Sequence, residues 1–236
     1  MSFRSPGAWA EFAIAPSNRV YVVPDELSKL LPDELVCQFP LNPLTAWGLL
    51  DIISQMDHQR ILLTAGRSQV AAFVEELAVR RGFAVERLVR SGIGYELRGP
   101  RDERLASGDS IEQIFSEVAS YDCIFDPIGG PATATLFAHT RKGGHIVSYG
   151  VIDDRPLEIR ASTLLYKILC WRGFALSAFL DRSPLQKLAS ASQECWRVLA
   201  ERPGLAHVSG RYALAEFKAA MQLARTSAGA GKVVIL

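Results

Sequence analysis

The chain is short of everything that marks a metalloprotein, a membrane protein or a nucleic-acid binder. Its four cysteines, Cys37, Cys123, Cys170 and Cys195, are scattered without a CxxC spacing, and its four histidines are equally dispersed. No metal-ligand pattern is therefore visible, and the expectation is buried, reduced thiols in a cytoplasmic protein. Lys and Arg number 26 against 25 Asp and Glu, a formal net charge of +1. That balance leaves no basic footprint for nucleic acid or an anionic membrane. The longest apolar runs, such as Ile61 to Ala65, are far too short to span a bilayer, and residues 1 to 20 lack the apolar core of a signal peptide. A Ser-His-Asp spacing, a P-loop and a carboxylate pair are missing too. The most informative shortage lies in ILLTAGRSQVAAFVEEL, residues 61 to 77. It has the layout of a dinucleotide-binding turn, yet where a fingerprint would hold three glycines it holds one, Gly66.

What is present is a long alternation of strands and helices. With 236 residues, 49% of them hydrophobic, the chain can bury the core of one large α/β domain, alone or with a smaller appendage. AWAEFAIAP and NRVYVV read as two short strands, and NPLTAWGLLDIISQM as a helix with Ala46, Leu49, Leu50 and Ile53 inward. RILLTA is a continuous apolar strand of the kind buried on both faces of a parallel sheet. Val70, Phe73, Val74, Leu77 and Ala78 then recur at helical spacing, with Gly82 as C-cap. AVERLVR, YDCIFDPIGG, GGHIVSYG and CWRGFALSAFL are read as strands, the last long and apolar. SIEQIFSEVAS, ATATLFAHT and STLLYKIL are the intervening helices. This rhythm predicts a doubly wound parallel sheet with right-handed crossovers. Ser183 and Pro184 open a helix with proline at its first position, burying Leu185, Leu188, Ala189, Trp196 and Leu199. A short strand near Ala206 to Val208 follows, then a helix with Leu214, Phe217, Met221 and Ala224 on one stripe, and a terminal strand KVVIL.

In an open parallel sheet, ligands bind beyond the carboxyl ends of the strands. Four corners of this chain converge there: TAGRSQV, VRSG, DPIGG and SYG. The first feeds a helix N-terminus at about Ser68, where unpaired N–H groups and the helix dipole favour an anion. Ser68 either caps that helix or donates to a phosphate, and Arg67 adds a positive charge beside it. At the end of the second strand an Asp or Glu would suit the ribose 2′-hydroxyl of NAD. The residue is Arg90, followed by Ser91 and Gly92. An arginine fork pairs with a 2′-phosphate and favours NADPH; a plain solvent-exposed arginine is the alternative. Asp126 stands at a strand end or caps the next helix, ahead of two glycines suited to a tight turn or a close approach. Tyr149 and Gly150 sit at the sheet edge, where a buried tyrosine with a satisfied hydroxyl is the ordinary reading.

The segments LNPLTAW, AGRSQV, LVRSG, DPIGG, GGHIVSYG, RGFALS and GKVVIL occur in that order. As an ordered set they resemble the zinc-free branch of the medium-chain dehydrogenase/reductase superfamily, from about Gly7 to Leu236. That branch covers quinone oxidoreductases and especially 2-enoyl thioester reductases. The resemblance implies a Rossmann domain over residues 43–182, built on the doubly wound parallel sheet. A truncated GroES-like β remnant would occupy residues 1–42, and C-terminal helices and a strand, 183–236, would return to it. It further implies reduction of a polarised C=C bond with NADPH. By position, cofactor contacts fall on Asn42 and Thr45 near the nicotinamide, and on Arg67, Ser68, Gln69 and Val70 at the phosphate corner. Arg90 and Ser91 match the 2′-phosphate site. Tyr149, Gly150, Val151 and Ile152 match the stretch beside the nicotinamide. Phe174, Ala175 and Leu176 match a cofactor and substrate wall, roomier at Ala175, and Lys232 matches a lysine near the C-terminus.

Two departures from the family pattern stand out. The glycine that follows valine in the corner is here Ala71, whose methyl is expected to crowd the helix against the sheet or the pyrophosphate. Family members also begin with a mostly β, GroES-like catalytic domain, and this chain is expected to start partway through it. The proton-donating tyrosine of enoyl reductases would lie upstream of Met1, and Tyr21 does not match its context, so no catalytic residue is assigned. The remaining strand edges would need cover. A homodimer through the strand matching CWRGFALSAFL, or a separate subunit supplying the other half, is the expected partner alongside a small enoyl or quinone-like substrate. The rival reading is a non-catalytic, repurposed member serving as a partner or scaffold subunit. Ala71 and the missing half favour it, whereas Arg90, Thr45 and the SYG corner favour retained cofactor binding.

Overall fold

Helices and apolar strands alternate through the computed structural model, which describes residues 10, 12–17, 20–55, 60–116, 120–226 and 230–236. The elements in chain order are α1 (Asp25–Ser28), α2 (Asp33–Val36), α3 (Asn42–Ile53), β1 (Arg60–Leu63), α4 (Gln69–Arg80), β2 (Ala84–Ser91), β3 (Gly94–Arg98), β4 (Arg104–Gly108) and α5 (Ile111–Phe115). They continue as β5 (Tyr121–Asp126), α6 (Gly130–Ala138), β6 (Thr140–Ser148), α7 (Ala161–Lys167), β7 (Cys170–Gly173), α8 (Leu176–Arg182), α9 (Leu185–Glu201), β8 (Val208–Tyr212), α10 (Phe217–Thr226) and β9 (Lys232–Ile235). The chain divides into two units, Gly48–Arg182 and the pair of end segments Met1–Trp47 with Ser183–Leu236.

The Gly48–Arg182 unit is a seven-stranded sheet in the order β4-β3-β2-β1-β5-β6-β7. From β2 through β1, β5 and β6 to β7, every neighbouring pair is parallel. This is the mostly parallel α/β sheet expected from the alternation of elements. Its core forms because the strands are apolar on both faces. Leu62, Leu88, Ile124 and Ile146 pack with Ile111, Ile114 and Phe115 of α5 and with Leu136 and Phe137 of α6. Fully burying each such side chain contributes roughly 1.5–3 kcal/mol. α4 buries Ala71, Phe73, Val74, Leu77 and Ala78, and it ends where Gly82 adopts φ +82°. The Phe83 and Gly82 amides close that helix onto the Ala78 and Val79 carbonyls. The amino ends of the strands are sealed by charge: the Tyr121 hydroxyl and the Arg60 guanidinium both donate to Glu86, each at 2.6 Å.

Between β2 and β4 the chain departs from the doubly wound plan. A crossover helix would join two parallel strands there; instead β3 runs antiparallel to both neighbours, so that β2 and β4 become parallel to each other. The turn from β2 to β3 has two central residues, Gly92 at φ +61° and Ile93, which is not among the positive-φ residues. That is the type II′ hairpin, which needs glycine at its first central position. The face of β3 turned away from the α5–α6 core carries Glu96 and Arg98. Arg98 pairs with Glu96 and Asp102, Arg104 with Glu96, and Arg87 with Glu75 and Asp102.

Other sequence expectations are corrected by the structure. The strand anticipated over CWRGFALSAFL stops at Gly173, and Leu176–Arg182 is helical. Leu, Ala, Phe and Ser suit either state, and a short apolar run does not distinguish them. The strand anticipated from Ala8 to Pro16 falls partly outside the described residues; its described positions, and Tyr21 to Pro24, form no ladder, and Val20 makes an isolated bridge. Phe12, Ile14 and Val22 are exposed, and among the described residues this alternation forms no ladder. In the end-segment unit, α9 starts one residue later than expected, with Pro184 at its N-cap. It buries Ala191, Cys195, Trp196, Val198 and Leu199, leaving Leu185 and Ala189 exposed. In α10 the inward residue is Ala220, and the anticipated stripe of Leu214, Phe217, Met221 and Ala224 is exposed. Of the cysteines, Cys123 and Cys195 are buried, Cys170 is half-buried and Cys37 is exposed.

Candidate functional site

The carboxyl edge of the parallel strands gathers the corners of the Gly48–Arg182 unit. After β1 the chain turns through Ala65 at φ +48°, and the Gly66 amide donates to Leu88 O of β2 at 2.9 Å. A β-carbon on Gly66 would sit 2.7 Å from Arg87 Cβ, 2.9 Å from Val89 Cγ1 and 3.0 Å from Leu88 O. The lone glycine of the corner is therefore the one the fold needs, at the point where the turn presses on the next strand. Ser68 then caps α4, its Oγ accepting from the Ala71 amide at 3.1 Å. Gln69 and Val70 are the first residues of the helix, and Arg67 is exposed beside them. Ala71 is fully buried, so its methyl lies inside the packing rather than on an open ligand face.

Tyr149, at the end of β6, reaches this corner. Burial of its hydroxyl raises its pKa above the ordinary tyrosine value, and a hydrogen bond with Ser68 acts the other way. Ser68 stands at the α4 N-terminus, where backbone N–H groups and the helix dipole favour an anion.

A buried carboxylate fixes the neighbouring loops. Asp126 is fully buried and accepts from Thr64 Oγ1 and Thr133 Oγ1, both at 2.5 Å, from the Gly129 amide at 3.1 Å and from the Ile128 amide at 3.3 Å. It thus ties the end of β1 to the start of α6, a role for Thr64 and Thr133 that their apolar surroundings in sequence do not announce. The loop after β6 lies along the loop after β5, with the Tyr149, Ile152 and Asp153 amides donating to Asp126 O, Pro127 O and Ile128 O. Gly129 and Gly130 have φ of +78° and +63°, and a β-carbon on Gly129 would come within 2.8 Å of Asp153 O. Asp153 is held in turn by Arg155, which lowers its pKa to about 2. Val151 and Ile152 project from this loop largely exposed. After β7 the Phe174 amide donates to Ser148 O at 2.8 Å, and its ring lies against Gly48 and near Phe179. Ala175 is exposed and Leu176 buried.

Arg90 and Ser91, adjacent in sequence, are not brought together. They end β2 on opposite faces, Arg90 opposite Tyr95 and Ser91 opposite Gly94. The Ser91 hydroxyl donates to Glu96 Oε1 at 2.9 Å. Hydrogen bonds from Arg98 and then Ser91 lower the Glu96 pKa. Arg90 is exposed, with its guanidinium carbon 5.9 Å from the Tyr95 ring centre. The remaining predicted positions, Asn42, Thr45 and Lys232, belong to the end-segment unit. Asn42 and Thr45 are buried in the first turn of α3. Asn42 and Lys232 line a cavity of about 750 Å³ together with Gln38, Leu41, Leu214 and Val233–Leu236.

Comparison with known proteins agrees with this architecture. The model of the zinc-binding dehydrogenase family matches residues 105–235, more than half of the chain. A mitochondrial enoyl-[acyl-carrier-protein] reductase of Arabidopsis thaliana is 27% identical over 206 residues, covering 78% of this chain and 54% of that protein. The chain spans about half the length of the curated relatives it matches. Among solved structures, a mycobacterial quinone oxidoreductase superposes with a TM-score of 0.76 at 19% identity, over 98% of this chain and 72% of that one. A mycobacterial protein solved in complex with NADPH gives 0.75 at 19% identity, with the same coverage.

Proposed function

This chain belongs to the zinc-binding dehydrogenase family of the medium-chain dehydrogenase/reductase superfamily, and from that premise we propose that it is an NADPH-dependent reductase of polarised C=C bonds. Its substrate class is α,β-unsaturated carbonyl compounds or thioesters. Among the described residues no group of three or more His, Cys, Asp or Glu is placed to hold a metal. The observation that supports the nucleotide reading is the arrangement at the carboxyl edge. The α4 N-terminus, capped by Ser68, offers backbone N–H donors to a pyrophosphate. Arg90, at the end of the adjacent strand β2, offers a fork to a 2′-phosphate.

When bound, the nicotinamide supplies a hydride to the β-carbon, and a proton completes the α-carbon. The residues of this chain position and enclose. Gly150 allows the loop after β6 to pass close to Pro127, a β-carbon there coming within 3.0 Å of it. That close passage leaves the exposed side chains of Val151 and Ile152 as apolar surface for a flat ring. Asn42, Thr45 and Lys232 are proposed contacts from the end-segment unit, and Phe174, Ala175 and Leu176 a proposed wall. The sheet edge at β7 is the proposed dimer contact.

Titration with NADPH and NADH tests the proposal. Saturable NADPH binding is expected, weakened by Arg90→Ala about 10- to 100-fold, since hydrogen bonds to charged groups contribute roughly 1.5–3 kcal/mol. Failure of both nucleotides to bind at millimolar concentration overturns it.

A further inference from the structure

The hairpin that replaces the crossover helix puts an aromatic ring beside Arg90, a neighbour a helical connection would not supply. We propose that Tyr95 is a positioning residue for nucleotide selection: its ring holds the Arg90 guanidinium ready for a phosphomonoester dianion, the group that distinguishes NADPH from NADH. The inference rests on the cofactor reading above and adds to it the element that sets the preference.

Three observations converge on this ring. The register is fixed: Arg90 lies directly opposite Tyr95, and the two-residue turn at Gly92 and Ile93 allows no slip. The ring is anchored, because Tyr95 is half-buried and packs on the cluster of Leu62, Leu88 and Leu97. Charge around it is distributed unevenly. Strands β2 to β4 carry Arg87, Arg90, Arg98 and Arg104. Arg87, Arg98 and Arg104 are engaged by the carboxylates of Glu75, Asp102 and Glu96. Arg90 has no carboxylate partner among the described residues; its recorded contact is the ring, at 5.9 Å. Strand alternation puts Glu96 on the opposite face, where Arg98 and Ser91 occupy it. An incoming dianion would therefore meet an arginine held by a ring, with the Glu96 carboxylate turned away. A ring orients a guanidinium without competing for its N–H donors, whereas a carboxylate would neutralise the charge the phosphate needs.

The test measures dissociation constants for NADPH and NADH with the full chain and four variants. Tyr95→Leu is expected to weaken NADPH about 3- to 10-fold while leaving NADH within about 2-fold, in line with the strength of an exposed or partly desolvated cation–π contact. Tyr95→Phe retains the ring and should keep the wild-type NADPH to NADH ratio. Tyr95→Leu in an Arg90→Ala background should add nothing. Equal weakening of both nucleotides by Tyr95→Leu, or no change in either, overturns the role of Tyr95. An unchanged ratio in Arg90→Ala instead overturns the assignment of Arg90 to the 2′-phosphate, and with it the role of Tyr95, while NADPH binding by the wild type still supports the cofactor reading. Absence of NADPH binding in the wild type overturns both.

Discussion

Gly66 and Asp153 show how single residues hold the site, one by having no side chain and one by a fixed charge. Gly66 does not have a positive φ, so alanine can adopt its backbone conformation, and any penalty must come from space. Two of its three nearest neighbours are side-chain carbons of β2, and the third is the Leu88 carbonyl within the sheet. Gly66→Ala is therefore expected to destabilise by about 1–3 kcal/mol, the usual cost of overpacking. A urea unfolding midpoint indistinguishable from wild type would contradict that. Asp153 makes the opposite kind of prediction. The Arg155 hydrogen bond lowers its pKa to about 2 from the ordinary 3.8. A carboxylate with a depressed folded-state pKa stabilises above its unfolded value and loses that contribution as the pH falls through its folded value. The contact should thus be intact at pH 4, about half lost near pH 2 and lost below it. A carboxyl NMR titration of Asp153 should show a midpoint near 2 that returns toward 3.8 in Arg155→Ala. A wild-type midpoint near 4 would refute the assignment.

At the scale of elements, periodicity made most of the sheet legible. RILL, YDCIFD and the helix from Gln69 announce themselves because buried strands are uniformly apolar and α4 keeps strict helical spacing. The hairpin was not legible: LVRSGIGYELRG contains a strand signal on both sides of a glycine-rich turn, but the alternating rhythm of the chain argues for a crossover there. The glycines at 92 and 94 were the available signal. The C-terminal helix failed for a different reason. Leu214, Phe217, Met221 and Ala224 satisfy a helical stripe, yet α10 turns Ala220 inward, because a small residue allows the helix to lie close to its neighbours while periodicity does not say which stripe is covered. Phe217 and Met221 are each 40% exposed, against 2% for Ala220. Phe217→Ser should accordingly cost less than about 1 kcal/mol, while Ala220→Leu should cost about 1–3 kcal/mol. Denaturant midpoints in the reverse order would mean that the helix presents its other face.

For the whole molecule, the division into units decides what nucleotide binding should look like. The end-segment unit is assembled from residues far apart in sequence. Phe39 stacks on Trp196 with ring centres 3.7 Å apart, Trp47 donates to Glu194, and Gln38 donates to Ala206 O. No local pattern in either segment reveals these pairings, which is why its candidate residues, Asn42, Thr45 and Lys232, came from resemblance alone. The corners of the Gly48–Arg182 unit were readable because each follows an apolar strand. If these corners cradle the cofactor, ligand bound only to the folded state stabilises it by RT ln(1 + [L]/Kd), roughly 2.7 kcal/mol at 100 times Kd. Hydrogen exchange should localise that gain. NADPH should slow exchange most at 64–71, 126–130 and 149–153, where amides converge on the proposed phosphate and nicotinamide positions, and also at 90–95 on the hairpin. NADH at equal saturation should protect the first three stretches and spare the hairpin, since it lacks the group that Arg90 and Tyr95 are proposed to engage. Equal protection of the hairpin by both nucleotides would remove the 2′-phosphate from Arg90. No protection at 64–71 would remove the nucleotide from the corner that Gly66 and Ser68 build.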